Sequence, residues 1–371
     1  METHKQNFYL IQALRFLAAF MVVCCHSTFY TKERLLSSVT VFSMGANGVP
    51  LFFVISGFVI VLSSRKLIND KDGWRKYALK RIIRIVPLYW LLTTYKIAIM
   101  IFSAGLILHS NIDFSTILKS YFFIPSLNID GEIRPILGVG WTLNFEMFFY
   151  LLFTIALFLR LNTIIFSGSI MIILTFLSFF KTPAWPVALN FYADPIVMNF
   201  VFGMISAVLI TKNFKVPKSL AIILILINLT YLFSPLQYHL EFIHLNPLLP
   251  NILAPFAIVY LSAQIEKHSH VHIHNIILFF GAASYSLYLI HPVIAPLSPT
   301  FLKKIGLISP FLSVALCIIL ALTAAALAYS YCEKPLTKFL NNKLIKAPAT
   351  ILSTNKTPIQ ISNEHKGKAR D

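Results

Sequence analysis

The chain has 371 residues, 57% of them hydrophobic and only 12% charged, with a mean hydropathy of +0.75. A soluble domain usually carries about twice that charged fraction, and 14 acidic residues cannot cover a globular surface. The formal charge of +17 resides in short loops between apolar runs, which fits the positive-inside rule and argues against a nucleic-acid-binding module.

A bilayer crossing needs roughly 20 apolar residues. Ten segments meet that criterion, at about 8–30, 47–64, 83–107, 140–159, 163–180, 195–211, 219–234, 248–265, 275–296 and 308–332. The seventh is short and ends at Pro235. The runs are too long and too evenly apolar for barrel strands, so the expected class is an all-α, polytopic membrane protein of about ten transmembrane helices. The first helix is too long for a signal-peptide core and no A-x-A site follows it, so it is expected to be retained. Cys24, Cys25, Cys317 and Cys332 lie in or beside apolar segments without metal or redox spacing.

Loop charge sets the expected orientation. "SRKLINDKDGWRKYALKR", "TKNFKVPK" and the tail after Cys332 fall on one side if the N-terminus is inside. The expectation is N-in and C-in, with Lys303 and Lys304 the main dissent. Residues 1–335 are expected to form the membrane domain, and 336–371 a basic cytoplasmic tail, partly disordered. The 65–81 segment reads as an amphipathic loop with Trp74 and Tyr77 as interfacial anchors. The 108–139 segment is the longest outward loop, and loops of that length are often functional.

Several ionisable residues sit inside these apolar runs. Arg15 and His26 are eleven positions apart, which on a helix is about 16 Å of rise and within about 20° of whole turns. They share a face, Arg15 near the inner end and His26 near the outer. Glu146 and His291 lie at a similar outer depth on two other spans. Such groups are costly in a membrane and point into a bundle or a wet cavity. At the inner mouth Arg81 and Arg84 share one face of the third span, with Lys80 and Arg15 beside them. Positive-inside topology alone accounts for Lys80 better than for Arg84 and Arg15, which sit deeper in apolar sequence. A cationic inner mouth and an imidazole–carboxylate centre near the outer face fit a long phosphorylated donor, with the shape of an acyl-coenzyme A, entering from inside.

The same residues carry a resemblance. The chain resembles the integral-membrane acyltransferase family 3, bacterial enzymes that O-acylate surface carbohydrates. "LRFLAAFMVVCCH" resembles its arginine–ten residues–histidine signature, at Arg15 and His26. "GANGVPLFFVISGFVI" resembles its second-span motif, with Ser56 and Gly57. "KRIIRIVPLYW" resembles its arginine motif, with Arg81, Arg84 and Pro87. "GWTLNFEMFFY" resembles its tryptophan–serine–leucine motif, with Thr142 where serine is commoner. "SYSLYLIHPV" and "CEKPLTK" resemble its closing motifs, with Lys334 where arginine is frequent. Each motif is weakly specific alone, but six in order along nearly the whole membrane portion are strongly specific. Some family members carry a C-terminal hydrolase domain, for which this chain is expected to be too short. The resemblance implies transfer of an acyl group, usually acetyl, from cytoplasmic acyl-CoA to a hydroxyl of a surface or lipid-linked carbohydrate. It implies the bacterial cytoplasmic membrane as the location, with acetyl-CoA as co-substrate and no tightly bound cofactor or metal.

The expected chemistry is general-base acyl transfer. Neutral His26 takes the acceptor's proton, its ordinary pKa of about 6.5 suiting the task, and Glu146 orients the ring. Arg15, Arg81, Arg84 and Lys80 are the expected donor-binding set. Ser56, Trp141, Tyr150, Tyr288 and His291 are expected to support or line the site. An acyl-enzyme on His26 or Ser56 is the alternative step, although Ser56 beside Gly57 also reads as close helix packing. The alternating His268, His270, His272 and His274 read as a solvated loop rather than a metal site. The rival classes are a proton-coupled transporter, which uses the same intramembrane residue types, and a lipid-sugar glycosyltransferase. No inverted repeat favours the first, and Asp113, Asp130 and Glu132 are too scattered to favour the second.

Overall fold

The structure is a computed structural model and describes residues 8–102, 113–212, 214–235 and 248–345. Fifteen α-helices are found among them. In chain order, α1 (Tyr9–Arg34), α2 (Gly48–Ser64), α3 (Gly73–Phe102), α4 (Phe114–Tyr121) and α5 (Trp141–Phe158) build the first half. Then come α6 (Thr163–Leu177), α7 (Val187–Tyr192), α8 (Met198–Leu209), α9 (Lys218–Phe233) and α10 (Leu248–His268). Last are α11 (Asn275–Ala282), α12 (Ser284–Ile294), α13 (Leu297–Lys304), α14 (Pro310–Ala328) and α15 (Lys334–Leu344). The described residues hold no β-strand beyond an isolated bridge between Leu127 and Ile133.

Each of the ten predicted segments coincides with helix. Among the described residues six are long and apolar enough to cross a bilayer: Tyr9–Arg34, Ser43–Leu67, Gly73–Phe102, Gly138–Phe158, Thr163–Phe180 and Pro310–Leu344. A seventh is broken rather than continuous, because Asn275–Ala282 and Ser284–Lys304 meet at a bend of 71°. Ala283 leaves helical geometry there, at φ −80° and ψ 3°, so the expected single span over 275–296 is two helices. The shorter α8 and α9, of 12 and 16 residues, fall below the roughly 20 residues of a straight crossing. Large apolar side chains face outward along several helices, among them Phe102, Phe176, Phe311 and Ile319, as expected for surfaces that meet lipid.

One helix start differs from expectation. The third helix starts at Gly73, ten residues before the predicted 83, and absorbs most of the expected amphipathic loop. Only 65–72 stay outside α-helix, where the Asp70 carboxylate accepts from the Asp72 N–H (3.0 Å) and from Lys76 Nζ (2.5 Å). Tyr77 is therefore no interfacial anchor. It is 1% exposed, with its ring stacked on Phe153 at 5.2 Å. At the other end, α14 runs through a π-helical turn at Tyr329–Glu333 into α15. The tail expected to be disordered lies, beyond 345, outside the described residues, as do 103–112 of the expected third span and outer loop.

Glycines let the central helices touch. A Cβ on Gly57 of α2 would stand 2.2 Å from the Phe200 carbonyl oxygen of α8, and one on Gly203 2.2 Å from that of Val54. This small-residue crossing brings backbones together where apolar burial supplies no preference over lipid. Around it Phe53 stacks on Phe200 at 4.4 Å, and Phe149 lies 4.7 Å from the same ring. Gly57 thus packs while its neighbour Ser56 points elsewhere.

The described part of the outer loop is folded back on α3. Tyr89 Oη donates to the Ser120 carbonyl (3.0 Å), Trp90 Nε1 to that of Tyr121 (2.8 Å), and Lys96 Nζ to that of Ile136 (2.6 Å). Asp113 caps α4 by accepting from the Thr116 N–H. Phe123, left-handed at φ 58°, lays its ring on Tyr89 at 4.7 Å. These bonds carry the loop across the bundle and set the position of Arg134.

Candidate active site

A cavity of about 80 Å³ opens among α1, α2, α3, α5 and α12. That is room for several waters or a narrow arm. Its polar walls are Arg15, Ser56, Arg81, Arg84, Glu146 and Tyr150. Arg15 comes from α1, Ser56 from α2 about 100° around the helix from Gly57, and Glu146 and Tyr150 from successive turns of α5. The bend at Ala283 turns the start of α12 inward, so Tyr285 and Tyr288 complete the wall.

Glu146 is held on two sides. One carboxylate oxygen accepts from Ser56 Oγ at 3.0 Å and from Tyr150 Oη. Arg81 donates from Nη2 to Ser63 Oγ (2.7 Å) and lies over the rings of Tyr77 (5.2 Å) and Tyr150 (5.4 Å). Two aromatic faces fix the plane of the guanidinium, which a lysine could not satisfy in the same way. Its Nε has no partner among the described residues. The charge of Arg15 is opposed by Arg84 and answered by Glu333 and Glu146. Three guanidinium groups therefore face two carboxylates, which leaves one positive charge in surplus.

Glu333 joins this cluster from the π-helical turn. It accepts from Ser286 Oγ at 2.5 Å and interacts electrostatically with Arg84 and Arg15. Its place was not read from the sequence, although it is the acidic residue of "CEKPLTK". A carboxylate just past a long apolar run was the available signal. Lys80 is exposed and lies outside the cavity wall, because a rotation of one residue from Arg81 turns it outward. Trp141 is half-buried, packs edge-on against Phe145 at 6.0 Å, and is likewise no part of that wall.

The second polar centre is built differently. His26 Nδ1 lies 2.7 Å from His291 Nε2, with the ring planes within 18° of parallel. His291 is completely buried and His26 half-buried. No direct hydrogen bond joins His26 to Glu146. Glu146 lies instead with the arginines of the cavity wall, its side chain bonded to Ser56 and Tyr150, and the imidazole takes another imidazole. Tyr288 links the two centres. It lines the cavity, its ring is 6.0 Å from that of His291, and its Oη lies 3.0 Å from Thr142 Oγ1. Tyr30, one turn along α1, sits 5.9 Å from the His26 ring. Arg134 of the outer loop, paired with Glu132 at 2.8 Å, acts electrostatically on both His26 and Tyr288. No sequence signal marked Arg134, because the return of its loop to α3 is a tertiary event.

Among the described residues no three His, Cys, Asp or Glu side chains converge as a metal site. His268 ends α10, and His274 caps α11 by accepting from the Ile276 N–H.

A family model described as "Acyltransferase domain" matches residues 8–330. Over 169 residues the chain is 38% identical to the exopolysaccharide production protein ExoZ of Rhizobium meliloti (strain 1021), covering 44% of this chain and 50% of ExoZ. It is 29% identical over 155 residues to the acyltransferase MdmB of Streptomyces mycarofaciens, covering 38% of this chain and 37% of that protein. It is also 24% identical over 271 residues to the putative acetyltransferase ORF330 of Acidianus two-tailed virus, covering 68% and 74% respectively. The chain thus spans half or less of the length of the first two relatives. No solved structure matches it.

Proposed function

The chain belongs to the acyltransferase family whose model matches it over residues 8–330, and from that premise we propose that it is a membrane O-acyltransferase. It moves an acyl group, foremost acetyl, from cytoplasmic acyl-CoA to a hydroxyl of a surface or exported carbohydrate. The observation that carries this reading is the placement of Tyr288 between an arginine-walled cavity and an imidazole pair, lining the one and lying beside the other. The surplus positive charge suits the phosphates of the donor. ExoZ is named for exopolysaccharide production, which favours an exopolysaccharide acceptor over a lipopolysaccharide one.

In this reading the chain crosses a bacterial cytoplasmic membrane ten times, with both termini inside. Arg15, Arg81 and Arg84 hold the donor from the inner side, and His26 receives the acceptor proton near the outer side. Glu146 serves the cavity, balancing the arginines and fixing Tyr150 and Ser56. The proposal is tested with purified protein, radiolabelled acetyl-CoA and candidate glycans. Coenzyme A release that requires a glycan and disappears in His26→Ala supports it. Proton-coupled uptake of a solute into vesicles, with no acetyl transfer under any acceptor, would replace it with the carrier reading.

A further inference from the structure

The hydrogen bonds of the imidazole pair determine which nitrogen of His26 is available for chemistry. His291 Nδ1 is 3.0 Å from the Leu287 carbonyl oxygen. A carbonyl only accepts, so this nitrogen carries the hydrogen. The Tyr288 carbonyl, which loses its usual helical donor because Pro292 has no N–H, interacts with the same ring. The partners of His291 among the described residues are His26 and these backbone carbonyls, with no carboxylate. A second proton on His291 would leave a charge without a counter-charge at a site that is 0% exposed, which burial disfavours. A neutral His291 with hydrogen on Nδ1 presents a lone pair at Nε2. The 2.7 Å contact then requires His26 Nδ1 to donate.

We infer that His291 is a positioning residue that locks His26 in the Nδ1–H tautomer and leaves His26 Nε2 as the proton acceptor. The order is Leu287 C=O, accepting from His291 Nδ1–H, whose Nε2 accepts from His26 Nδ1–H. His26 Nε2 has no hydrogen-bond partner among the described residues and belongs to the more open ring. This deepens the acyltransfer reading and rests on it for the chemical step. The acceptor oxygen bonds to the thioester carbonyl carbon as its proton passes to Nε2. The carbon–sulfur bond then breaks, and the departing thiolate takes that proton back, giving ester and free thiol. Through the cycle His26 Nδ1–H stays donated to His291, so the imidazolium formed in passing remains hydrogen-bonded.

The test separates tautomer control from packing. His291→Leu fills the space and accepts nothing, whereas the His291→Gln amide can accept from His26 Nδ1–H and donate to the Leu287 carbonyl. His291→Leu is expected to lower kcat about 10- to 100-fold with acetyl-CoA affinity unchanged, and His291→Gln to recover most of that loss. Equal losses in the two variants, or an undiminished kcat in His291→Leu, would overturn the inference. A readout independent of activity is ¹⁵N NMR of histidine-labelled protein, with His26 assigned by difference from His26→Ala. Nδ1 of His26 should be the protonated, pyrrole-type nitrogen in the wild type, and should lose that definition in His291→Leu. A protonated Nε2 in the wild type sinks the tautomer lock while leaving the acyltransfer reading intact. The expected tautomer in a protein that transfers no acyl group would do the reverse.

Discussion

The arginine cavity and the imidazole pair both hang from α1, eleven residues apart, and they accommodate polarity inside an apolar bundle in opposite ways. The cavity keeps its charges. Arg15, Arg81 and Arg84 are half-buried, Arg15 and Arg84 answered by Glu333 and Arg15 also by Glu146, with Arg81 lying over the faces of Tyr77 and Tyr150. The imidazole pair is held by hydrogen bonds between neutral rings and a backbone carbonyl, with its inner member completely shut off from solvent. The difference follows from the cost of burial. An ion in a membrane interior needs water, a counter-charge or both, whereas a neutral imidazole needs only one partner for each ring nitrogen it buries. A cavity of the first kind suits capture of an anion. A pair of the second kind suits moving one proton without a lasting charge.

Substitutions can break this division of labour or sharpen it. The largest effect is expected for His26→Ala, which should lower kcat by about 10²–10⁴-fold while leaving acetyl-CoA affinity within twofold of wild type. A rise in donor Kd of similar size would show that the two regions are not separate. Next, Arg84→Gln should weaken donor binding by about 10- to 100-fold, the loss of one charge-assisted contact. The remaining affinity should fall with added salt less steeply than in the wild type, as measured by titration at several ionic strengths. A variant with unchanged affinity and lost activity would move Arg84 from capture to support.

Glu146→Gln is expected to have a smaller effect and a diagnostic sign. It keeps an oxygen for Ser56 and Tyr150 but adds one net positive charge to the cavity wall. Donor Kd should tighten by about two- to fivefold, with kcat lowered only a few-fold. A kcat loss as large as that of His26→Ala would restore Glu146 to the chemical step. The smallest expected effect belongs to Lys80→Gln. Lys80 is exposed and outside the cavity wall, so donor affinity and turnover should match wild type within error. A tenfold loss of affinity would mean that the cationic capture surface extends beyond the cavity.

Position along the chain was enough to establish that this is an all-helical chain with several bilayer-length segments, and to pick out Arg15, His26, Arg81, Arg84, Glu146 and His291 as groups too costly to be idle in apolar helices. Spacing also gave the axial coordinate, since each residue adds about 1.5 Å of rise. Two residues at equal depth on different helices can nevertheless face different neighbours, because rotation about each axis is decided by packing. Glu146 shows this. Its place inside an apolar helix was legible, but the turn of α5 aims it at Ser56 and Tyr150 in the arginine cavity, and His291 occupies the place beside His26. The same applies to Lys80, one rotation away from Arg81, and to Tyr77, whose ring the 73–102 helix turns inward. The bend at Ala283, the π-helical turn that delivers Glu333 and the folded-back loop that delivers Arg134 depend on contacts between segments far apart in the chain. Local periodicity reports only how often a helix shows an apolar face. Which face meets which neighbour is set when the Gly57–Gly203 crossing and the Tyr288 contacts close, and only then does a list of ionisable residues become a cavity and a pair.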